Sequence, residues 1–555
     1  MSNPRPLNPP IDAVAVRLMW DRLVSIVDEA TVTQYRTAFS TVVQEANDFA
    51  CSVMDRRGGT LANSRFGLPS FVATQAVTLR SLLARFDAGE IRDGDVFITN
   101  DPWIGTGQVM DLTLLRPIFR DGRLVAFAGS VAHAPDLGGV QRWNTSTDVF
   151  EEAIFIPLMK LYEGGSPNRT LLDLIAANTR IPDLTIGDLE AQLAAMRPIT
   201  SRLVSLMDEY GLESLDPLAD DIYVRSETAM RSAIAGIPDA TYTGEVVSDG
   251  FPDPLDLAKP RDPILIRATV VVAGEEMRVG FAGSSTQQPG SFNSIWTFTE
   301  AYTLYGLRLI LVPDLPNNAG FYRPISVDCP EGSVVNARFP AATLSRHAVG
   351  HQVVDAVYAA LAPVLPGAVI AQGGSAPSWD LILMGKDLRG RPFNRLVIIN
   401  GGSGARAAGD GYTWCFPANI SNTPIEILET SVPVLCEEKA VIVDSAGPGR
   451  HRGGFGQRIS LRARNGFGFS LINARVGHAP QGLLGGQPGR RGRALLDGQE
   501  IPPGTDGEVP AGHQLVIETP GGGGMGPVIE RDPRRTAIEM EDGLVTASWG
   551  SLQSD

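Results

Sequence analysis

The chain has 555 residues, of which 43% are hydrophobic and 20% are charged, a composition typical of a globular protein with several packed units. Its formal net charge is −15 and it contains no basic run, which argues against nucleic-acid binding by phosphate neutralisation. No apolar stretch approaches the roughly 20 residues that a membrane helix needs, and no apolar signal segment follows the proline-rich start. We therefore expect a cytoplasmic protein with neither nucleic acid nor a membrane among its partners.

The first half of the chain alternates helical and strand-like patterns. Apolar residues at helical spacing predict one or two helices within residues 13–56, turning into a strand near residues 49–54. A second helix is predicted near 70–88 and a strand over 96–99. The turn signal Asp121-Gly122 lies between two apolar runs and predicts a hairpin. Residues 168–212 are predicted to be mostly helical.

The second half begins with another predicted hairpin, around Gly274-Glu275, followed by helices near 297–311 and 343–362 and a strand before the glycine cluster at 401–404. The last hundred residues combine short strand patterns with glycine turns. Together these patterns predict a mixed α+β fold. Its predicted parts are a helix-and-hairpin N-terminal region (1–240), a central α/β body (241–440) and a β-rich C-terminal tail (441–555).

Several common chemical motifs are absent from the sequence. The four cysteines are far apart, which excludes a zinc ribbon or a CxxC redox pair. There is no GxSxG nucleophile elbow, no GxxxxGK[ST] loop and no GxGxxG that opens a helix after a strand. We interpret the glycine cluster at 521–526 as a turn or loop, with a phosphate cradle as the alternative. The cluster at 401–405 contains Ser403, but no histidine lies within 40 residues to activate it as a nucleophile. The sequence therefore offers no recognisable nucleotide site of its own.

Polar side chains concentrate in residues 96–139, in one glycine-rich loop and at the end of the following hairpin. Carboxylates with an imidazole suit a divalent catalytic metal that keeps open positions for water or substrate. The alternative is structural, with Asn100 and Asp101 making turns before Pro102 and Asp136 forming a tight corner. The candidate residues of this segment are Asn100, Asp101, Gln108, Asp111, His133 and Asp136.

A second candidate metal site lies in the predicted helix near 343–362. His347 and His351 are four residues apart, and Asp355 follows one turn later, so all three share one helix face. The spacing is that of an HExxH site, but Ala348 stands where that motif has its glutamate. The alternative is a pair of surface or interface histidines.

The sequence resembles the hydantoinase B/oxoprolinase family in seven blocks that occur in the same order. The resemblance implies a two-component enzyme. An A-type partner subunit, related to actin-like ATPases, uses ATP to phosphorylate the carbonyl oxygen of a cyclic amide or ketone, and the B-type chain hydrolyses or carboxylates the activated species at a metal site. The blocks are RTAFSTVVQEANDFACSVMD (36–55), GDVFITNDPWIGTGQVMD (94–111), HAPDLGG (133–139), LPNNAGFYRPISVDCPEGSVVNARFPA (315–341), SNTPIEILE (421–429), AGPGRHRGGFG (446–456) and PGGGGMGPVIERDP (520–533).

The resemblance also implies a metal site, built in the family from an early Asp, a His-x2-Asp pair and a later His. Asp48, Asp111 and His133 match three of these positions, and Gln108 falls where the first His is expected. The family often reads GGTHxxD where this chain reads TGQVMD, and Ala134 replaces a second His that often stands beside His133. The implied cofactor is a divalent metal, with zinc, manganese and magnesium as the alternatives. A glutamine oxygen is a weak, hard ligand, which favours looser binding or a harder ion than zinc.

The remaining roles follow from the resemblance. Asp136 would orient His133 through its other ring nitrogen, while Asn100 and Asp101 would shape the loop and touch the substrate. The leading hypothesis is the B-type subunit of an ATP-dependent cyclic amide hydrolase, acting on a hydantoin, an oxoproline-like lactam or a related ring in a hetero-oligomer with an A-type ATPase subunit. Two alternatives stay open: a subunit of an ATP-dependent ketone carboxylase, and a metal-poor scaffold paralogue, which Gln108 favours.

Overall fold

The computed structural model describes residues 12–256, 259, 262–415 and 418–549. Helices and strands are mixed along the chain and the strands form several sheets, which confirms the predicted α+β class. The helices of the described residues are α1 (Ala13–Thr37), α2 (Thr41–Gln44), α3 (Pro69–Arg85), α4 (Val149–Glu152), α5 (Arg169–Asn178), α6 (Pro182–Glu209), α7 (Asp216–Ala235), α8 (Trp296–Leu311), α9 (His347–Gly350), α10 (Val353–Leu361), α11 (Ile425–Ser431) and α12 (Pro533–Glu541). None of them is long and apolar enough to cross a bilayer.

In the described part of the chain, twenty strands pair into four sheets. They are β1 (Phe49–Asp55), β2 (Thr60–Asn63), β3 (Val96–Thr99), β4 (Asp111–Arg120), β5 (Arg123–His133), β6 (Met159–Glu163), β7 (Ser166–Pro167), β8 (Ala240–Ser248), β9 (Ile264–Ala273), β10 (Glu276–Gly280), β11 (Ile325–Asp328), β12 (Trp379–Lys386), β13 (Pro392–Ile399), β14 (Val434–Val441), β15 (Gln457–Ala463), β16 (Phe467–Ile472), β17 (Arg493–Leu496), β18 (Gln499–Ile501), β19 (Asp506–Val509) and β20 (Gln514–Glu518).

The first sheet positions the candidate site. It has seven strands in the order β2-β1-β5-β4-β3-β6-β7, with the predicted β4–β5 hairpin at its centre. Asp121 and Gly122 link these two strands with φ of +51° and +74°. Two consecutive left-handed residues produce the turn twist that suits a hairpin, which explains why this dipeptide signals one.

The other three sheets follow in the order β11-β10-β9-β8, β13-β12-β16-β19 and β14-β15-β20-β17-β18. The β9–β10 hairpin around Gly274-Glu275 is confirmed. The last two sheets combine strands from both sides of residue 440, so the central and C-terminal parts of the chain are interleaved. The predicted domain boundaries at 240 and 440 stay predictions.

One large apolar core joins the N-terminal helices, the first sheet and the central region. Helix α1 shows why its sequence is helical: Met19, Leu23 and Val27 recur every four residues and are all buried. Asp12 caps its first turn by accepting from the amides of Val14 and Ala15.

The structure differs from the sequence predictions at several helices, and α7 (Asp216–Ala235) lies beyond the helical residues predicted up to 212. The single helix predicted near 343–362 is two helices, α9 and α10, because the chain turns at His351 and Gln352. The tail predicted as β-rich also contains α12, whose residues are mostly polar and so give no apolar periodicity. Its start is marked instead by an Asp532 cap followed by Pro533.

Candidate active site

Three strand ends meet at one end of the first sheet and gather residues that are far apart in the sequence. Asp48 directly precedes β1, Asp111 begins β4 and His133 ends β5. Asp111 and His133 are register partners across the β4–β5 pair, and the backbone amide of His133 donates to the carbonyl oxygen of Asp48 at 3.1 Å. Since β1 and β4 both run antiparallel to β5, their first residues lie beside its last one.

A buried hydrogen-bonded cluster results. Nδ1 of His133 lies 3.0 Å from Oδ1 of Asp111, and Nε2 of Gln108 donates to the same oxygen at 2.7 Å. Oδ2 of Asp48 is 3.9 Å from Nδ1 of His133. The structure thus brings together Asp48, Gln108, Asp111 and His133, which the family resemblance groups as metal ligands.

The cluster also contains a cation that the sequence did not reveal, Arg346. Its side chain is only 4% exposed, and its Nη2 lies 2.9 Å from Oδ2 of Asp111. Nε donates to the carbonyl oxygen of Thr106 at 2.6 Å, and the Thr106 hydroxyl donates to Oδ2 of Asp111. The guanidinium carbon lies 4.2 Å from the ring centre of Phe298, a cation–π contact. In the sequence, the one feature that could have pointed to Arg346 is its position next to the candidate ligand His347.

A cavity of about 30 Å³ adjoins the cluster, which is room for a water molecule and too little for a ring. Two buried atoms of its lining residues, Oδ1 of Asp48 and Nε2 of His347, make no hydrogen bond within the described chain, although His347 Nε2 lies 3.2 Å from Oδ2 of Asp380. Buried polar atoms are nearly always hydrogen-bonded, so these two suit a bound water or a substrate atom. The polar lining residues are Asp48, Gln108, His133, Arg346, His347, His351, Ser378 and Asp380.

Burial and neighbouring charges shift the ionisation of the acidic residues in this cluster. Burial raises the pKa of Asp48 to about 7, although the charge of His133 opposes the shift. Burial likewise raises the pKa of Asp380 to about 6. Burial alone would raise the pKa of Asp111 too, yet Arg346 and His133 hold it below its ordinary value. Asp111 is therefore the permanent anion of the site, and Asp48 changes its charge near neutral pH.

The pKa values of the three histidines of the site also shift in opposite directions. Burial alone would lower the pKa of His133, but the hydrogen bond to Asp111 raises it above its ordinary value. Burial and the nearby Arg346 lower the pKa of His347 to about 3, and burial lowers that of His351 as well. The rings of His347 and His351 lie 5.6 Å apart between centroids. The pKa of His133 is thus raised, while the pKa values of His347 and His351 are lowered.

A larger chamber, of about 390 Å³, shares Tyr302 and His351 with the small cavity. This volume lies in the range of small-molecule sites. Most of the other side chains that line it are apolar or aromatic, among them Tyr305, Leu309, Val354, Tyr358 and Ile370. Tyr302 and His351 thus line both the small cavity beside the ionisable cluster and a space of a size that suits a small cyclic molecule.

Asn100 and Asp101 support the loop that carries Gln108. Nδ2 of Asn100 donates to the carbonyl oxygens of Val109 and Ile154 at 2.7 and 2.8 Å. Oδ1 of Asp101 accepts from the amide of Trp103 at 2.9 Å and so caps a short 3₁₀ turn. Neither residue lines the small cavity. The contact of Asp101 matches the structural interpretation, in which it makes a turn, while Asn100 bonds to backbone groups distant in sequence. The proposed roles of both residues in catalysis stay predictions.

Asp136 lies away from the small cavity. Its carboxylate accepts from Nη1 of Arg180 at 2.8 Å and from the hydroxyl of Thr179 at 3.1 Å. These bonds join the end of the β4–β5 hairpin to the segment between α5 and α6. The structure thus does not bring Asp136 into the cluster, and its predicted role in orienting His133 stays a prediction.

The donor set fits a divalent ion poorly. Within the described residues, no three His, Cys, Asp or Glu side chains are placed to hold a metal together. Both carboxylate oxygens of Asp111 already accept hydrogen bonds from protein donors, and Gln108 directs its amide nitrogen towards Asp111. The assignment of Asp48, Gln108, Asp111 and His133 as metal ligands therefore stays a prediction.

The fold matches that of solved enzyme structures. A crystal structure of the ATP-dependent caprolactamase from Pseudomonas jessenii aligns with a TM-score of 0.88 and 25% identity, over 98% of this chain and 96% of that one. A nucleotide-free acetone carboxylase structure aligns with a TM-score of 0.87 and 19% identity, over 97% of this chain and 78% of that one. At this lower identity, the second match shows a shared fold alone.

Sequence comparison gives the family. The B subunit of a putative D-/L-hydantoinase from Pseudomonas sp. (strain NS671) is 29% identical over 566 residues, which cover 97% of this chain and 93% of that protein. The family model described as hydantoinase B/oxoprolinase matches residues 12–528. The chain belongs to the hydantoinase B/oxoprolinase family, which confirms the resemblance seen in the sequence.

Proposed function

We propose that the chain is the B-type subunit of an ATP-dependent cyclic amide hydrolase. In this proposal it opens a hydantoin, an oxoproline-like lactam or a related ring whose carbonyl oxygen has been phosphorylated with ATP on an A-type partner subunit. The observation that carries the proposal is that Tyr302 and His351 line both the cavity beside the buried ionisable cluster and the ring-sized chamber. The hydantoinase and caprolactamase relatives support the choice of a cyclic amide.

Asp48 is the proposed general base. Its Oδ1 is buried without a hydrogen-bond partner in the described chain, and burial raises its pKa to about 7, near the pH at which a general base works best. A water in the small cavity would give its proton to this carboxylate as the water oxygen attacks the ring carbon. Neutral His347, whose Nε2 is also without a hydrogen bond, would help to orient that water.

The other charged residues would stabilise the reacting group. His133, whose pKa the hydrogen bond to Asp111 raises, would face the negatively charged phosphoryl group on the carbonyl oxygen. The carbon–nitrogen bond then breaks as the ring nitrogen takes the proton held by Asp48, which leaves an open-chain acyl phosphate. A second water converts this acyl phosphate into a carboxylate and inorganic phosphate. Since the sequence has no nucleotide motif, the phosphorylation itself is proposed for the partner.

Co-expression with an A-type subunit tests the proposal. We expect the purified pair to open hydantoin, 5-oxoproline or caprolactam with ATP, without bicarbonate, and to lose ring opening in the Asp48→Asn variant. Bicarbonate-dependent consumption of acetone or acetophenone without ring opening would instead identify a ketone carboxylase. Ring opening by the A-type subunit alone, at the rate of the pair, would contradict the proposal and support a scaffold role.

A further inference from the structure

We propose that this chain carries a metal-independent form of the family's site, in which the guanidinium of Arg346 supplies the positive charge that the resemblance assigns to a divalent ion. The proposal concerns the electrostatics of the cluster and stands whichever reaction the chain performs. It starts from the disagreement between the implied ligand set and the groups that surround Asp111.

Arg346 is fixed beside Asp111 by three contacts. Its Nη2 donates to Oδ2 of Asp111 at 2.9 Å, its Nε donates to the carbonyl oxygen of Thr106 at 2.6 Å, and its guanidinium lies over the ring of Phe298. Arginine keeps its charge in proteins, and a buried cation is stable only with a paired anion. Asp111, whose Oδ2 accepts from this guanidinium, is therefore already neutralised by the protein.

Three neighbouring residues that differ from the family motif support the ion pair between Arg346 and Asp111. The motif often reads GGTHxxD, and this chain has Thr106, Gly107 and Gln108 where the motif has Gly, Thr and His. The Thr106 hydroxyl donates to Oδ2 of Asp111, and Nε2 of Gln108 donates to its Oδ1. Gly107, at φ +91°, leaves space for the arginine, because a Cβ there would lie 2.7 Å from Cδ of Arg346.

The altered residues act together. Asp111 accepts from Thr106, Gln108 and Arg346, and its Oδ1 also lies 3.0 Å from Nδ1 of His133. A carboxylate has about four lone-pair positions, so these groups leave none directed at a further cation. A divalent ion bound here would also stand close to the guanidinium, and two like charges repel strongly inside a protein. The loop sequence and Arg346 thus favour a guanidinium in place of a metal ion.

Metal analysis of the full chain, purified with its partner subunit where the two associate, tests the proposal. We expect sub-stoichiometric zinc, manganese and magnesium by inductively coupled plasma mass spectrometry after each metal has been offered and the excess removed. We also expect the same melting temperature with EDTA as without it, since only an ion that binds the native state raises that temperature. One equivalent of metal per chain, with a lower melting temperature after chelation, would overturn the proposal.

Two variants test the contribution of Arg346 separately from that of the loop residues 106–108. The reconstructed variant combines Thr106→Gly, Gly107→Thr, Gln108→His and Arg346→Ala, and we expect it to take up close to one zinc per chain and to melt at a higher temperature when zinc is added. The matched control, Gln108→His with Arg346 retained, is expected to stay metal-poor. If this control binds zinc as fully as the reconstructed variant, Arg346 does not exclude the ion and the proposal fails. If the reconstructed variant does not fold, the wild-type metal content and the Gln108→His variant still decide.

Discussion

Asp111 and His133 face each other across the β4–β5 pair, with Oδ1 of the aspartate 3.0 Å from Nδ1 of the histidine. The hairpin alone fixes this pair, because the two residues are the first of β4 and the last of β5. The same aspartate pairs with Arg346 through its other oxygen. Asp111 therefore joins the sheet to the segment at residue 346, and the stability of the site should depend on its charge.

The first prediction concerns that charge. Asp111→Asn leaves the buried guanidinium of Arg346 without an anion, and removing one partner of a buried ion pair costs about 3–5 kcal/mol. We expect a loss of this size in the free energy of unfolding, measured with denaturant. The matched control is Asp21→Asn, which breaks an exposed pair in which Arg17 and Asp21 lie 2.9 Å apart, and such pairs contribute at most about 1 kcal/mol. Equal losses in the two variants would contradict the role given to Asp111.

The second prediction concerns Asp48 as a base. Since a base must be ionised and burial raises the pKa of Asp48 to about 7, kcat/KM for ring opening should rise with pH through neutrality. Asp48→Asn should remove this rise and lower kcat by about 10²–10⁴-fold, the usual contribution of a general base. The comparison variant is Asp136→Asn, a buried carboxylate bonded to Arg180, which should keep the rise with pH. If kcat/KM no longer rose with pH in Asp136→Asn but still rose in Asp48→Asn, the base would be Asp136 and not Asp48.

The chamber can be tested by filling it. Val354 lines the chamber on α10, and Val354→Trp should raise KM about tenfold for a substituted ring, a loss of about 1.4 kcal/mol in binding. The smallest ring accepted should be affected less. Val224→Trp is the control, since Val224 is 55% exposed on α7. An unchanged KM for every ring in Val354→Trp would show that the substrate binds elsewhere.

A buried carboxyl outside the site predicts a pH dependence of stability. Oε1 of Glu152 accepts from the amides of Thr343 and Leu344 at 2.9 and 2.8 Å, and burial raises the pKa of Glu152 to about 8. The folded chain then keeps a proton that the unfolded chain releases near its ordinary pKa of about 4.3. Stability should therefore fall as pH rises from about 5 to 8, by about 1.4 kcal/mol per pH unit from this group.

Glu152→Gln isolates that effect, because an amide does not titrate. Its melting temperature should change less between pH 5 and 8 than that of the wild type, so that the variant gains relative stability as the pH rises. Above pH 8 the melting temperatures of the wild type and the variant should change with pH in parallel, because Glu152 is then ionised in both the folded and the unfolded chain. Parallel curves across the whole range would mean that Glu152 is already ionised in the folded chain near pH 5.

Local patterns in the sequence were enough to predict the hairpins and the candidate residues at their ends. Asp121-Gly122 predicts the β4–β5 turn, and the turn places Asp111 beside His133. Asp48 joined the predicted site only through the family resemblance, because its contact with His133 depends on the pairing of β1 with β5. No periodicity in the sequence reports such a pairing.

Arg346 and Asp380 could not be predicted for the same physical reason. Arg346 is 235 positions from Asp111, and it reaches the cluster because α9 packs near α8 and the loop before β4. Asp380 lies in β12, in a different sheet from His133. The identity of a buried charged residue shows that it needs a partner, but the partner is fixed by tertiary packing. The turn at Asp101 was among the alternatives that the sequence left open, whereas the bonds from Asn100 to the carbonyl oxygens of Val109 and Ile154 were not visible in it.

The last prediction tests the space that Gly107 leaves for Arg346. Gly107→Ala adds a Cβ 2.7 Å from Cδ of Arg346 at a position with φ +91°, so it should destabilise the chain through a clash and through backbone strain. In an Arg346→Ala background the clash with the arginine is gone, and what remains is the strain, about 1–3 kcal/mol, and a tight contact at 3.1 Å with Cβ of Phe298. The cost of Gly107→Ala should therefore be smaller in that background, with a coupling energy of about 1 kcal/mol or more in a double-mutant cycle.

Gly122→Ala measures the strain by itself. Gly122 also has a positive φ, +74°, but nothing lies within 4 Å of a Cβ placed there. Its cost should be no larger than that of Gly107→Ala in the Arg346→Ala background, where the contact with Phe298 remains, and it should not change when Arg346 is replaced, because Gly122 and Arg346 share no contact. A zero coupling energy between 107 and 346 would mean that the arginine moves aside without cost, and the glycine would then have no part in placing the guanidinium at Asp111.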